Sequence, residues 1–486
     1  MLTLPAPRAF KWTLAALYAT LFALLYVGAN ALSAGVPWRV PVALPWEPVL
    51  PFHPAWALPY LSLPLLLLAL PLKLKPTGLW VVFAALMVQT GVAALCFVLL
   101  PVRVDFPPRV ADGVWHLPFM LADTLNLTRN HLPSLHVALA CTAAWALAPH
   151  AAPAMRWLPW AWAAAIALST VGLHEHHLLD VAAGVLLAAG AVRWVGRWAV
   201  QPRVLAAVRL EWLLARNQWL FARRHLRYGW IALLLGVQRL RHPRQGRLLV
   251  LGFCLLQAAD DLLDGDRPSP HEDPLHLADA LNTALRSHRF APTGQPVHDE
   301  LMHLAEPFAT ALRAQAGDTA VAQTADLIAV MRRDRERALQ AAAWPAARLA
   351  AHHRATFTHS LDLLLAASGS CLRARDVPEL LHALAWCSTA RDLREDWAAG
   401  IVNVPAEVLH AAHLTAPWPP MDTVLTAPAV RQWLHTERQQ AMQQLDQLAQ
   451  RALPHADRVG ERIVRLFARS VRGFAGRRFA RLYPGV

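Results

Sequence analysis

Two histidines and an aspartate, carried on separate short stretches, define the first chemistry open to this chain. Asn130-His131-Leu132-Pro133-Ser134-Leu135-His136 opens one apolar run, and the stretch from Ser169 to Asp180 (STVGLHEHHLLD) joins two others. His176 and Asp180 stand four residues apart, so a helix puts them on one face. A carboxylate there holds one imidazole nitrogen and leaves the other free to attack an electrophile. His136 arrives from a different helix and is placed to protonate a leaving oxygen. Arg103, Arg109 and Arg129 belong to the same layer and would clamp phosphate oxygens. Two plainer readings compete. The histidines could be polar residues at helix ends, or His174, His176 and His177 could hold a metal, although no second acidic or cysteine ligand set accompanies them.

A second constellation is acidic. Asp260-Asp261-Leu262-Leu263-Asp264 ends a very apolar stretch, and Arg391-Asp392-Leu393-Arg394-Glu395-Asp396 precedes Gly400 and Pro405. Asp260 and Asp264, like Asp392 and Asp396, are four apart and project from one helix face. Carboxylates at the ends of buried helices are costly unless paired or metal-bound. Two such faces opposing each other suit Mg²⁺, which takes a few carboxylates together with phosphate oxygens and water. A metal–diphosphate site in an apolar cavity is the chemistry that follows. The plainer alternative is a solvated helix face.

These residues need elements to position them. The 486-residue chain is 56% hydrophobic and 16% charged, too apolar for an ordinary soluble protein, in which about 25% of residues are charged. The apolar residues crowd into the first 200 positions, and acidic residues crowd after Glu211. The run from Trp12 to Ala34 reads as a retained membrane helix rather than a cleaved leader. Further apolar stretches at 55–72, 78–101, 136–150, 157–175 and 179–200 predict six spans. Arg8, Lys11, Lys73, Lys75, Arg156, Arg193, Arg197 and Arg203 then share one side, which marks it as cytoplasmic. Arg39, Arg103, Arg109 and Arg129 fall on the other side, where phosphate chemistry supplies a reason for cations. The net charge of +13 fits anionic lipid headgroups, and no nucleic-acid-binding pattern is present. Cys96, Cys141, Cys254, Cys371 and Cys387 are far apart and read as free thiols. After residue 200 the period is helical throughout, with 265–300 as a loop carrying a short helix. The Arg-rich tail Arg462–Arg481 either lies on an anionic membrane surface or packs on the second domain.

Two resemblances sharpen these expectations. Pro133–His136 and Ser169–Asp180 resemble the second and third motifs of the type 2 phosphatidic acid phosphatase superfamily. Pro-Ser-Leu-His and the continuation Asp180, Val181 and Gly184 are similar to its inositolphosphotransferase-like branch in particular. This resemblance, over about residues 10–200, implies a six-helix membrane enzyme with His176 as the nucleophile of a phosphohistidine. Asp180 would orient it, His136 would be the general acid, Ser134 and the three arginines would bind substrate, and no cofactor is expected. Thr170 stands where the superfamily has Arg, and Arg103 and Arg109 stand in for an absent first motif.

Ala258–Gly265 resembles the first aspartate-rich motif of squalene/phytoene synthases, and Ala390–Pro405 (ARDLREDWAAGIVNVP) resembles their second. Tyr228–Leu240 looks like their early substrate-binding helix, and Met331-Arg332-Arg333-Asp334 like a mid-domain element. This resemblance, over about 220–480, implies an all-α class I isoprenoid synthase fold that joins allylic diphosphates with Mg²⁺. Asp260, Asp261, Asp264, Ser388, Asp392 and Asp396 would face the metal, with Tyr228 and Arg391 on substrate. Gln257, Ala385, Ser388 and Ile401-Val402-Asn403 depart from the family's residues and leave the exact reaction open.

The expectation is therefore all-α: a six-helix transmembrane bundle over 1–203, followed by a class I synthase-like domain over 204–486. The protein would be integral to an inner or plasma membrane, with both termini cytoplasmic. It would act on lipid phosphates and prenyl diphosphates among membrane lipids. Rival readings are a membrane phosphatase whose helical domain only binds prenyl lipids, and a non-catalytic lipid-binding scaffold.

Overall fold

The structure is a computed structural model. It describes residues 8–224, 226–269, 271–453 and 457–484, except for the side chains of 226 and 227. Helix makes up 76% of the chain and strand 1%, so the fold is all-α. Two compact units are present, Met1–Trp212 and Leu213–Val486. The division falls inside the Pro202–Ala222 helix, where the reading from sequence had placed a join at its start.

Among the described residues of the first unit, four helices are long and apolar enough to cross a membrane: Arg8–Ser33, Pro54–Lys73, Pro76–Leu99 and Leu178–Trp198. Six had been expected. The other two apolar helices, Leu135–Leu147 and Leu158–Gly172, have 13 and 15 residues. At 1.5 Å per residue, 15 residues cover about 22 Å, short of the ~30 Å hydrocarbon layer. The chain beyond them continues as irregular backbone carrying the two histidine motifs. That backbone is enclosed by protein: Asn126, Asn130, His131, Ser134 and His174 to His177 are all buried. The second apolar stretch is itself interrupted at Ser62, whose hydroxyl donates to the Pro59 carbonyl at 2.6 Å and accepts from Trp162 Nε1 at 2.7 Å.

Leu135–Leu147 runs through the middle of this unit. Val137, Ala138, Ala140, Ala143 and Ala144 are fully buried along it, and small side chains let the neighbouring helices approach. A two-residue parallel pairing, Val40–Pro41 with Val102–Arg103, ties together the loops that frame the histidine motifs.

The second unit is built of helices that open on proline. Pro243, Pro296, Pro378 and Pro428 each stand in a first turn, where a missing N–H costs nothing. The stretch expected to be mostly loop contains the 14-residue helix Pro274–Ser287. Its start is fixed by Asp273, whose carboxylate accepts from the Leu275 and His276 amides, a cap that the surrounding Pro and His residues concealed. The basic tail is packed. Val464, Val471, Phe474 and Phe479 enter the core beside Trp386 and Leu434, while Arg462, Arg465 and Arg469 face outward. Asp457 caps that helix and also accepts from Ser370 Oγ and the Cys371 amide at 2.6 and 2.7 Å; these donors hold its carboxyl well below the usual range.

Candidate active sites

In the membrane-type unit the two histidine motifs meet. The ring centroids of His136 and His176 are 6.4 Å apart, and those of His131 and His176 are 5.7 Å apart. Asp180 Oδ2 lies 3.5 Å from His176 Nδ1 and accepts from the His177 amide at 3.0 Å. Both His176 and Asp180 are buried. The two helices come this close because residue 184 is glycine: a Cβ there would stand 2.6 Å from the Ser134 carbonyl oxygen. The Ser134 amide in turn donates to the Asp180 carbonyl at 3.0 Å. His136 stacks on Tyr60 with ring centroids 4.1 Å apart. It also lines an apolar cavity of about 470 Å³ with Tyr18, Phe22, Tyr26 and Leu139.

Several polar atoms in or next to these motifs are buried without a hydrogen-bond partner: Asp180 Oδ1, Ser134 Oγ and, just before the first motif, Arg129 Nη1. Buried polar groups are normally satisfied, so this set is chemically poised toward something polar. The other two expected cations are engaged elsewhere. Arg103 pairs with Asp105 at 2.7 Å and is largely exposed. Arg109 is held by Glu175 and by Asp123, and donates to the Leu173 carbonyl at 3.1 Å.

Sequence reasoning did not single out Glu47. It is fully buried, binds His177 Nδ1 at 2.8 Å and accepts from the Leu178 amide at 2.7 Å. His177 Nε2 accepts from the Asp105 amide at 3.2 Å, so both of its ring nitrogens are used structurally. His174 Nε2 sits 3.0 Å from the Leu50 carbonyl oxygen, and its ring stacks on Phe106. The available signal for Glu47 was a lone carboxylate in an apolar, proline-rich stretch, which demands a partner.

In the second unit, carboxylates from three helices act on one another. Burial, with the charges of Asp264, Asp261 and Asp334, pushes the Asp260 carboxyl up to about 8. Burial, with Asp266 and Asp334, pushes Asp264 up to about 6. Burial, with Asp392, Asp334 and Asp264, pushes Asp396 up to about 7. Asp334 is the shared neighbour. It lies on Asp318–Gln340, binds His352 Nε2 at 2.9 Å and pairs with Arg337 at 3.3 Å. Arg337 is almost wholly buried; it donates to Asn403 Oδ1 at 2.5 Å, and its Nε and Nη1 have no partner. Asn403 donates to Asp396 Oδ2 at 2.8 Å, so one amide links the two charges. The turn that delivers it depends on Gly400. At φ +86° the left-handed region favours glycine, and a Cβ would meet the Ala338 carbonyl oxygen at 2.6 Å.

Asp261, whose charge acts on Asp260, is itself paired with a cation. Arg224 binds both of its oxygens, at 2.8 and 2.5 Å, and Gln257 donates to it at 2.7 Å. That fork holds the carboxylate against Arg224, just beyond the end of the Pro202–Ala222 helix. Asp392 is held by its neighbour Arg391, whose Nε donates at 2.7 Å. Ser388 is half-buried one turn before Asp392. Tyr228 stacks on Phe221 at 4.1 Å and lies within electrostatic reach of both Arg224 and Arg391. Asp334 and Arg337, missing from the expected site, stand three apart on one helix turn, which was the signal for them.

Among the described residues, no group of three His, Cys, Asp or Glu side chains is close enough to hold a metal ion unaided. The donor set nonetheless suits Mg²⁺, which completes its shell with phosphate oxygens and water. The raised carboxyls are the groups that a cation would relieve. A cavity of about 680 Å³ in the same unit shares Asn403 with the cluster and is lined by Leu349, His353, Leu381, Trp386 and Leu434. Comparison of the chain with protein-family models, with curated proteins and with solved structures gave no match.

Proposed function

We propose that this chain is a two-site enzyme of membrane lipid metabolism. Its first unit moves a phosphoryl group from a lipid phosphate, and its second acts on prenyl diphosphates. The observation that supports the first half is the convergence of His136 and His176, ring centroids 6.4 Å apart, with Asp180 Oδ2 3.5 Å from His176 Nδ1 and the adjoining Ser134 Oγ buried without a partner. In this reading Asp180 orients His176 through Nδ1, and Nε2 attacks phosphorus. The phosphorus–oxygen bond to the lipid breaks, and His136 delivers a proton to the departing oxygen. Water or an alcohol then attacks the phosphohistidine and surrenders its proton to His136. Arg129 neutralises the phosphate oxygens, and the apolar cavity at His136 accommodates an acyl or prenyl chain.

For the second unit the supporting observation is the set of buried carboxyls around Asp334. Mg²⁺ held by Asp260, Asp264 and Asp396 would neutralise a departing diphosphate. Arg337 offers unpartnered N–H groups to its oxygens, Tyr228 and Arg391 stand at the rim, and the nearby cavity offers an apolar chain Leu349, Leu381, Trp386 and Leu434 on a wall otherwise lined by polar side chains such as Arg354, Glu407 and Glu437. The pairing of Asp261 with Arg224 and of Asp392 with Arg391 favours a second reading, in which this unit binds prenyl diphosphate without turning it over.

The test uses purified full-length protein. Phosphate release from a lipid phosphate should vanish in His176→Ala. Diphosphate release from farnesyl or geranylgeranyl diphosphate with Mg²⁺ should vanish in Asp260→Ala and Asp396→Ala. Release that persists in these variants rejects the corresponding half. Binding without release supports the second reading.

A further inference from the structure

The helix Leu226–Arg241 of the second unit carries an apolar face that no other described residue of that unit covers. Trp230, Leu233, Leu234, Val237 and Leu240 recur at helical spacing and are 60%, 54%, 64%, 37% and 83% exposed. The basic tail helix makes the contrast: Val464, Val471 and Phe474 are spent in the core, and its exposed apolar residues, Val459 and Leu466, are isolated among arginines. A contiguous apolar stripe on a folded surface marks an interaction site. Its rim identifies the partner. Arg241, Arg244 and Arg247 follow directly at the end of the stripe, and all three are exposed. Leucines and a tryptophan bordered by arginines match the boundary between acyl chains and anionic headgroups. The same chain carries four helices long and apolar enough to cross a membrane, so a bilayer is always at high effective concentration.

We infer that the Leu226–Arg241 face docks in the plane of an anionic bilayer, with Trp230 and the leucines in the headgroup–acyl boundary and the arginines on lipid phosphates. Docking is independent of turnover at either site. Tyr228, at the start of this helix, lies within electrostatic reach of Arg391, which the proposed function puts at the rim of the carboxylate cluster. The docked helix therefore presents that rim to molecules that partition into the membrane.

The test uses the full chain with Cys371, the exposed cysteine, changed to Ser. Leu234→Cys and Leu240→Cys are labelled with an environment-sensitive fluorophore, with the exposed Glu306→Cys as reference. The protein is placed in nanodiscs containing phosphatidylglycerol, or phosphatidylcholine alone, each with headgroup-proximal nitroxide lipid. The expected result is loss of most fluorescence at both leucine positions, none at the reference, and a stronger effect in the anionic discs. Changing Arg241, Arg244 and Arg247 to Gln should weaken docking about five-fold per charge removed. Quenching no greater than at the reference overturns the inference, as does protection that rises with protein concentration, which would mark a second copy as the occupant. Equal quenching in both lipids overturns the role given to the arginines.

Discussion

The carboxylate cluster makes a thermodynamic prediction that needs no substrate. The Asp260 carboxyl keeps its proton up to about pH 8 in the folded chain, whereas an unfolded Asp loses it near pH 4. Between those values folding takes up a proton, so stability falls as pH rises. One proton retained over that window is worth about 1.4 kcal/mol per pH unit, or about 3 kcal/mol between pH 5 and 7. For a unit of this size, each kcal/mol moves the melting temperature by about 2–4 °C. Asp260→Asn removes the titrating group while nearly keeping its shape. Calorimetry of wild type and variant at pH 5, 6 and 7 without divalent metal should show the variant gaining about 6–12 °C on wild type across that range. Mg²⁺ with diphosphate should narrow the gap, and more at pH 7 than at pH 5, where the proton competes. Parallel melting curves for the two proteins would refute the reasoning, because they would mean that Asp260 titrates alike in the folded and unfolded states.

Other consequences can be checked separately. Gly184→Val places side-chain atoms against the Ser134 carbonyl, which a Cβ alone would meet at 2.6 Å; it should separate His136 from His176 and abolish phosphate release while the protein still inserts, as judged by expression and protease protection. His136→Ala should slow phosphate release about 10²–10⁴-fold, the usual worth of a positioned general acid, measured by single-turnover kinetics. Arg224→Ala leaves the Asp261 carboxylate without its main partner; chemical denaturation should register a loss of about 1–3 kcal/mol. Asp457→Ala removes a helix cap and the acceptor for Ser370, with an expected cost of about 1–2 kcal/mol.

Much of the molecule was legible from spacing alone. The i, i+4 relation of His176 to Asp180 and of Asp260 to Asp264 follows from the 3.6-residue period, which needs no tertiary information. The apolar runs marked the membrane-type unit, and the all-helical second unit followed from the absence of a strand pattern. The apolar runs alone could not set helix length, because an apolar run ends where hydrophobicity ends, whereas Leu135–Leu147 and Leu158–Gly172 end where enclosed loops take over. The short helix expected within 265–300 is Pro274–Ser287, and its start depends on the Asp273 cap.

The choice among carboxylates belongs to the fold. Asp260 and Asp261 are adjacent in the chain, yet one is pushed up among other acids and the other is neutralised by an arginine 37 residues away. Glu47 finds His177 across 130 residues, and Arg337 finds Asn403 across 66. A residue's own neighbours in sequence set the direction of its side chain, while its charge state depends on what the folded chain brings against it in a medium from which water has been removed.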